Sequence, residues 1–254
     1  GDLRFPGAYG TAILETMGIE AGRTGLTERE ALAAGLSVQA THTHNFDHAS
    51  YYPGATMLHI KLITDTATGR LLGGQVVGEH GVDKRLDVLA TALQGGMTVA
   101  DLEDLDLAYA PQFSSARDPV IMAGLVAANV VRGELEVVTC TALRARLAAG
   151  ADLQLVDVRS AAEFAEGHLP GALHLPLDEL RDRLHELSPT RPKTLVPRPS
   201  RSSRPLRSAS SQGTSGSACP CRRRTGQVSR IGDSSRRCER PSSMSARVTA
   251  VVPP

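Results

Sequence analysis

The sequence has no tryptophan and only four tyrosines and four phenylalanines in 254 residues. Large aromatic surfaces are therefore scarce, and each one draws attention to its neighbourhood. Cysteine is also sparse: Cys140 stands alone, while Cys219, Cys221 and Cys238 lie in an arginine-rich region. That pattern excludes a disulfide framework and a four-ligand zinc spacing, and no metal site is expected. No apolar run reaches the roughly 18 residues needed to cross a bilayer, and the start lacks a basic-then-apolar signal pattern, so a cytoplasmic protein without a membrane partner is expected. No Gly-x-Gly-x-x-Gly follows a strand pattern, so a dinucleotide site within these residues is not expected either. The chain opens on Gly1 with no Met, as a fragment would.

The net charge of +1 conceals two different materials. Residues 1–190 hold 14 Lys and Arg against 25 Asp and Glu, a balance of −11; residues 191–254 hold 14 against 2, a balance of +12. That second stretch carries 14 Ser, 8 Pro and 13 Arg with scarcely any apolar periodicity, so it is expected to be a disordered tail. No aromatic interleaves its arginines and no recognised fold holds them, so nucleic acid is not an expected partner. Its abrupt onset is what a slipped reading frame in GC-rich DNA would produce.

Before the tail, the pattern is that of an α+β domain, an antiparallel sheet with flanking helices. Thr11–Ile19 reads as an apolar strand, and Thr27-Glu-Arg-Glu30 as a capping box opening a helix that Gly35 stops. Leu36–His44 favours extension, with His42 and His44 two apart on one face; without a third ligand they read as solvent-facing. Met57–Asp65 and Leu71–Glu79 are expected to pair across a loop ending in Gly69. Val82, Leu86, Leu89 and Leu93 repeat at helical spacing, which leaves Asp83, Lys84, Arg85 and Asp87 for the polar side. Thr98–Asp101 caps another helix. Pro119–Val131 has almost no polar face and is too short for a membrane; full burial is easiest if a second copy covers part of it, which points to a homodimer. From Val137 the order becomes βαβα, with helices at Thr139–Ala149, Ser160–Glu166 and Asp178–Leu187 and strands at Leu153–Val156 and Leu173–Leu175, the first half of a parallel α/β domain. Its next strand is expected near Pro192.

Three of the four tyrosines lie in two turn-rich stretches, Asn45–Gly54 and Tyr109–Pro119. Rings held there either close the rim of a small core or are aimed at a ligand, and residue type leaves both readings open.

Residues 7–135 carry Gly10-Thr-Ala-Ile13, His48-Ala-Ser-Tyr-Tyr-Pro-Gly54, Gly69-Arg-Leu-Leu-Gly73, Gly81-Val-Asp-Lys-Arg-Leu-Asp87, Tyr109-Ala-Pro and Ala116-Arg-Asp-Pro119. In that order and spacing they resemble the C-terminal dimerisation domain of FAD-dependent pyridine nucleotide-disulfide oxidoreductases, nearest to the coenzyme A-disulfide reductase branch. Gln112 and Ile121 depart from the usual pattern. Residues 140–190, through Leu155-Val-Asp157-Val-Arg159, Glu163-Phe and Gly167–Ala172, resemble the first half of a rhodanese domain.

The resemblance implies domains at 1–135 and 139–190 and a tail at 191–254. It implies an enzyme using FAD and NAD(P)H to reduce coenzyme A disulfide or a related disulfide or polysulfide. Tyr51 and Tyr109 would then be catalytic, their hydroxyls reaching the reactive cysteine of the other subunit. The FAD and nicotinamide domains and that cysteine are not in this chain, so the fragment alone is not expected to be active. Asp157 and Arg159 would orient the rhodanese-like part. Two other readings stay open: a stand-alone dimerisation module, and a sulfurtransferase remnant acting through Cys140 or the tail cysteines.

Overall fold

An antiparallel sheet organises the first 135 residues. The computed structural model describes residues 7–196 and 248–252. Strands β1 (Ala12–Thr16), β2 (Ile19–Gly25), β3 (Val38–Phe46), β4 (Met57–Asp65) and β5 (Leu71–Gly78) lie in the order β1-β2-β5-β4-β3. The single strand expected over Thr11–Ile19 is in fact a hairpin: β1 pairs with β2 in the register Ala12↔Arg23 to Thr16↔Ile19. The turn is Met17–Gly18, with φ of 53° and 75°, and two consecutive positive φ values are what a tight hairpin requires. An apolar Met in such a turn hid it; Met17 is fully exposed.

The β4–β5 pair forms as expected across Thr66–Gly69, with Gly69 at φ 70°. Alternation then divides the sheet into two faces. Leu58, Ile60 and Leu62 of β4 and Val76 of β5 point inward and are buried. Helices α2 (Val82–Gln94), α3 (Val99–Glu103) and α4 (Pro119–Val131) cover that face. Both strand glycines under α2 are there for space: a Cβ at Gly22 would lie 2.6 Å from Leu86 Cδ2 and one at Gly74 2.8 Å from Leu89 Cδ1. Glycine at these points lets the helix sink onto the sheet. Helix α1 (Glu28–Ala33) and α3 open on reciprocal capping boxes, Thr27 with Glu30 and Thr98 with Asp101.

Helix α4 has the expected bounds, and within one chain it is buried on one side only. Val120, Ala123, Gly124, Ala127 and Ala128 face the core, while Ile121, Met122, Leu125, Val126 and Val130 are half-buried.

A second, parallel sheet follows. Strands β6 (Glu136–Thr139), β7 (Gln154–Asp157), β8 (Leu173–His174), β9 (Lys193–Val196) and β10 (Val248–Val252) are ordered β6-β10-β9-β7-β8. Helices α5 (Cys140–Ala148) and α6 (Ala161–Glu166) lie where the sequence places them. Strand β9 begins beside Pro192, also as expected. The helix expected over Asp178–Leu187 is absent; turns occupy the stretch, closed by a 3-10 turn at Leu184–Glu186. Leu177 and Leu184 stay 67% and 54% exposed, so no buried stripe holds a helix there. Arg183 instead pairs with Glu179 and Glu186. The disordered-tail and frame-slip expectations fall mainly on residues 197–247, outside the described residues, as do Cys219, Cys221 and Cys238.

Strand β5 has one position with no room at all: a Cβ at Gly73 would fall 2.0 Å from the Leu26 carbonyl oxygen. Gly73→Ala is expected to lower stability by about 3 kcal/mol, the upper end of overpacking costs, as read from denaturant unfolding with an unchanged m-value.

Candidate functional site

Two loops carry the tyrosines, and a buried arginine joins them. Arg85, on the second turn of α2, is 2% exposed. One guanidinium NH2 donates to the Asp47 carbonyl at 2.6 Å and to Asp118 Oδ2 at 3.0 Å, with Ser114 Oγ at 3.4 Å; the other donates to the Gly81 carbonyl at 3.3 Å. Asp47 begins the loop bearing Tyr51, and Ser114 and Asp118 belong to the loop bearing Tyr109. The sequence reading put Arg85 on the solvent side, which the structure corrects. The missed signal is phase: Arg85 lies three residues after Val82 and four before Leu89, inside the apolar stripe.

Asp118 does two jobs. Its Oδ1 accepts the Val120 N–H at 2.9 Å, capping α4 in front of Pro119, and its Oδ2 takes Arg85 and the Ser114 hydroxyl. Burial pushes its pKa up, but the Arg85 charge and the bonds from Val120, Ser114 and Arg85 outweigh that and hold it below the ordinary 3.8. Lys84 stands 3.6 Å away.

The Tyr51 loop is tied at both ends by Asp47, whose N–H donates to the Thr56 carbonyl at 3.0 Å while its Oδ1 accepts the Thr56 N–H at 2.8 Å. Asp47 Oδ2 lies 2.7 Å from His48 Nδ1, and His48 packs edge-on against Tyr52 with ring centroids 5.9 Å apart. The two loops meet directly where the Ala49 N–H donates to the Pro111 carbonyl at 3.2 Å.

These ties bring the two sequence-predicted residues together. The Tyr51 and Tyr109 side chains meet: a hydrogen bond with Tyr51 first, then partial desolvation and the charge of Tyr51, raises the Tyr109 pKa above its ordinary 10. Both rings are exposed, Tyr51 by 75% and Tyr109 by 51%, and Phe113 beside them by 66%. The rings do not close a core rim.

The other candidates are placed apart from this pair. His42 and His44 share a face of β3 as expected, but both are half-buried rather than solvent-facing. His44 meets His59 of β4 edge-on, with ring centroids 4.8 Å apart, and burial lowers the pKa of His42 and His59. Among the described residues no cluster of three His, Cys, Asp or Glu is placed to hold a metal, and no helix is long and apolar enough to cross a membrane. In the parallel sheet, Asp157 is fully buried at the end of β7 and accepts from the Arg159 guanidinium at 2.7–3.0 Å and from the Arg159 N–H at 3.0 Å, while Arg159 also donates to the Gly167 carbonyl at 2.6 Å. Cys140 is half-buried at the start of α5, packed against the core of Val138, Leu143 and Leu155.

Residues 14–120 match the pyridine nucleotide-disulphide oxidoreductase dimerisation domain, and residues 139–211 the rhodanese-like domain. The chain carries both domains of the resemblance, in the expected order. In the solved structures it is similar to reduced CoADR-RHD of Bacillus anthracis, with 38% identity and a TM-score of 0.72, over 76% of this chain and 34% of that one. It is similar in the same proportions, with a TM-score of 0.67, to an NAD-dependent persulfide reductase from A. fulgidus. An NAD(P)H coenzyme A polysulfide/persulfide reductase of Pyrococcus horikoshii is 42% identical over 125 residues, 49% of this chain and 28% of the relative. The chain thus spans about a third of the length of these reductases.

A flavin or nicotinamide dinucleotide needs a glycine-rich strand-to-helix turn whose amides meet the pyrophosphate. Where β5 runs through Gly78 and Gly81 into α2, the Val82 N–H already donates to the Glu20 carboxylate at 3.1 Å. An acidic side chain occupies the place a phosphate would take, so this turn does not fit such a cofactor.

Replacing Arg85 by Met should cost about 3–5 kcal/mol, since it leaves a buried carboxylate without its charge partner. Because the folded Asp118 pKa is depressed, its contribution is present above the ordinary carboxylate range and is lost as pH falls through the folded value. Asp118→Asn should therefore flatten the acid limb of the stability curve, measured by denaturant unfolding between pH 5 and about pH 2.

Proposed function

We propose that this chain works as the dimer-forming part of an FAD- and NAD(P)H-dependent reductase of coenzyme A disulfide or a related disulfide, persulfide or polysulfide. In this reading Tyr51 and Tyr109 are catalytic residues presented to the reactive cysteine of the partner subunit. The observation that carries it is the exposed Tyr51 and Tyr109 pair, presented on two loops that a buried ion pair ties together. FAD and NAD(P)H would be bound by domains outside residues 7–196.

The chemistry suits a phenol. When a cysteine thiolate attacks coenzyme A disulfide, the Cys–S bond forms, the S–S bond breaks, and coenzyme A leaves as a thiolate carrying the electron pair. A neutral O–H stabilises that thiolate without bringing a charge into the site. Tyr51, the more exposed of the two, is the donor toward sulfur, and Tyr109 supports it.

The names of the relatives support this substrate class, and the half-buried face of α4 supports a homodimer. A sulfurtransferase reading has less to stand on. A rhodanese needs a thiolate cradled by backbone amides after the strand that β9 represents, and the sequence has no Cys between Lys193 and Ala218.

In the assembled reductase, Tyr51→Phe is expected to lower kcat by about 100-fold, in the range of one proton-donating group, and Tyr109→Phe by less, with the flavin spectrum unchanged. Unaltered turnover in both variants would remove the catalytic reading. The dimer is tested separately: Leu125→Lys should shift the protein to monomer in sedimentation equilibrium, and a variant that sediments as wild type would place the interface elsewhere.

A further inference from the structure

His48 is buried beside the tyrosine pair, and nothing in the reaction outlined above uses it. Its exposure is 9%. Its two ring nitrogens both face oxygens: Nδ1 lies 2.7 Å from Asp47 Oδ2, and Nε2 makes a longer contact of 3.4 Å with the Pro53 carbonyl. The ring thus spans from the Asp47 carboxylate to a backbone carbonyl further along the same loop.

The carbonyl it reaches belongs to the turn that displays Tyr51. The Tyr52 N–H donates to the Ala49 carbonyl at 2.8 Å, so Tyr51 sits within a tight turn and Pro53 is its exit. The His48 ring also packs against Tyr52. We propose that His48, bridging the Asp47 carboxylate and the Pro53 carbonyl, is the positioning residue that fixes the Tyr51 turn against Tyr109. This rests on the reading of Tyr51 and Tyr109 as the working pair.

The charged and titratable groups around it are few. Asp47 is in its own loop; Arg85 arrives from α2 on the Asp47 carbonyl; Asp118, with Lys84 near it, faces Arg85 from the Tyr109 loop; Tyr51, Tyr52 and Tyr109 complete the set. Without the His48 ring the Pro53 carbonyl loses its tie to Asp47, and the Tyr51 turn gains freedom.

NMR of the full chain with labelled histidine and tyrosine tests this without catalysis. The wild-type chain should show a contact between the Tyr51 and Tyr109 rings, and His48→Phe and Asp47→Asn should each weaken it while the remaining resonances report an intact fold. A contact unchanged in His48→Phe overturns the proposal. In the assembled reductase, His48→Phe should lower kcat by about 10- to 100-fold, as misplacing a reacting group does, with KM for the nicotinamide unchanged. If Tyr51→Phe slows turnover and His48→Phe does not, the positioning role fails while the tyrosine reading stands. If neither slows it, the tyrosine reading itself is lost.

Discussion

The buried Arg85–Asp118 pair is the constraint on which the tyrosine platform depends. Taking two charges out of water is costly, and such a pair is tolerated only when the remaining donors and acceptors are met. Here they are, by the Asp47 and Gly81 carbonyls, the Ser114 hydroxyl and the Val120 amide. What this network supplies is a unique geometry more than net stability. It draws three separate stretches of chain, the loop after β3, the second turn of α2 and the entry to α4, to one point. The loops between them have no β-ladder of their own, and a segment without regular structure keeps a fixed path only if something buried pins its ends.

Why Arg85 can reach both loops goes back to the sheet. Gly22 and Gly74 leave the floor beneath α2 bare, Leu86 and Leu89 settle onto it, and the first turns of the helix sit deep enough for Arg85 to be enclosed. A side chain at either glycine would lift the helix and with it the guanidinium. Small residues in the strands thus act on the exposed tyrosines through two intermediates, helix depth and the ion pair. This is an ordinary consequence of close packing, since interiors transmit displacement instead of absorbing it.

Much of this was legible beforehand, and the reasons differ by element. Strands β4 and β5 announce themselves by alternation and by Gly69. Two capping boxes give the starts of α1 and α3, and Pro119 with its apolar run gives α4. The failures share a cause: the deciding interaction lay far away in sequence. Nothing local says that Met17 takes positive φ, that Leu177 and Leu184 find no surface to bury against, or that a charged residue inside an apolar stripe has a carboxylate 33 positions later to meet. Tyr51 and Tyr109 were found through the order of motifs around them, whereas Asp47, Arg85, Ser114 and Asp118, which hold them, carried no recognisable chemistry alone.

Taken as an object, the tyrosine pair is organised but incomplete. Two hydroxyls that share one hydrogen bond leave one proton over, and both rings are open to solvent. Burying a pair of phenols in the same chain would have satisfied that last donor internally. Leaving it exposed, on loops pinned by a network this well satisfied, makes sense only if an acceptor arrives from outside the chain's own core. The acceptor must tolerate a neutral donor and gain from it most when it carries negative charge, because hydrogen bonds to ionised acceptors are roughly twice as strong as neutral ones. A departing thiolate meets both conditions, and a resting disulfide meets only the first. In the proposed reaction the platform would therefore favour the moment of bond cleavage over the bound substrate, the asymmetry a catalytic donor needs.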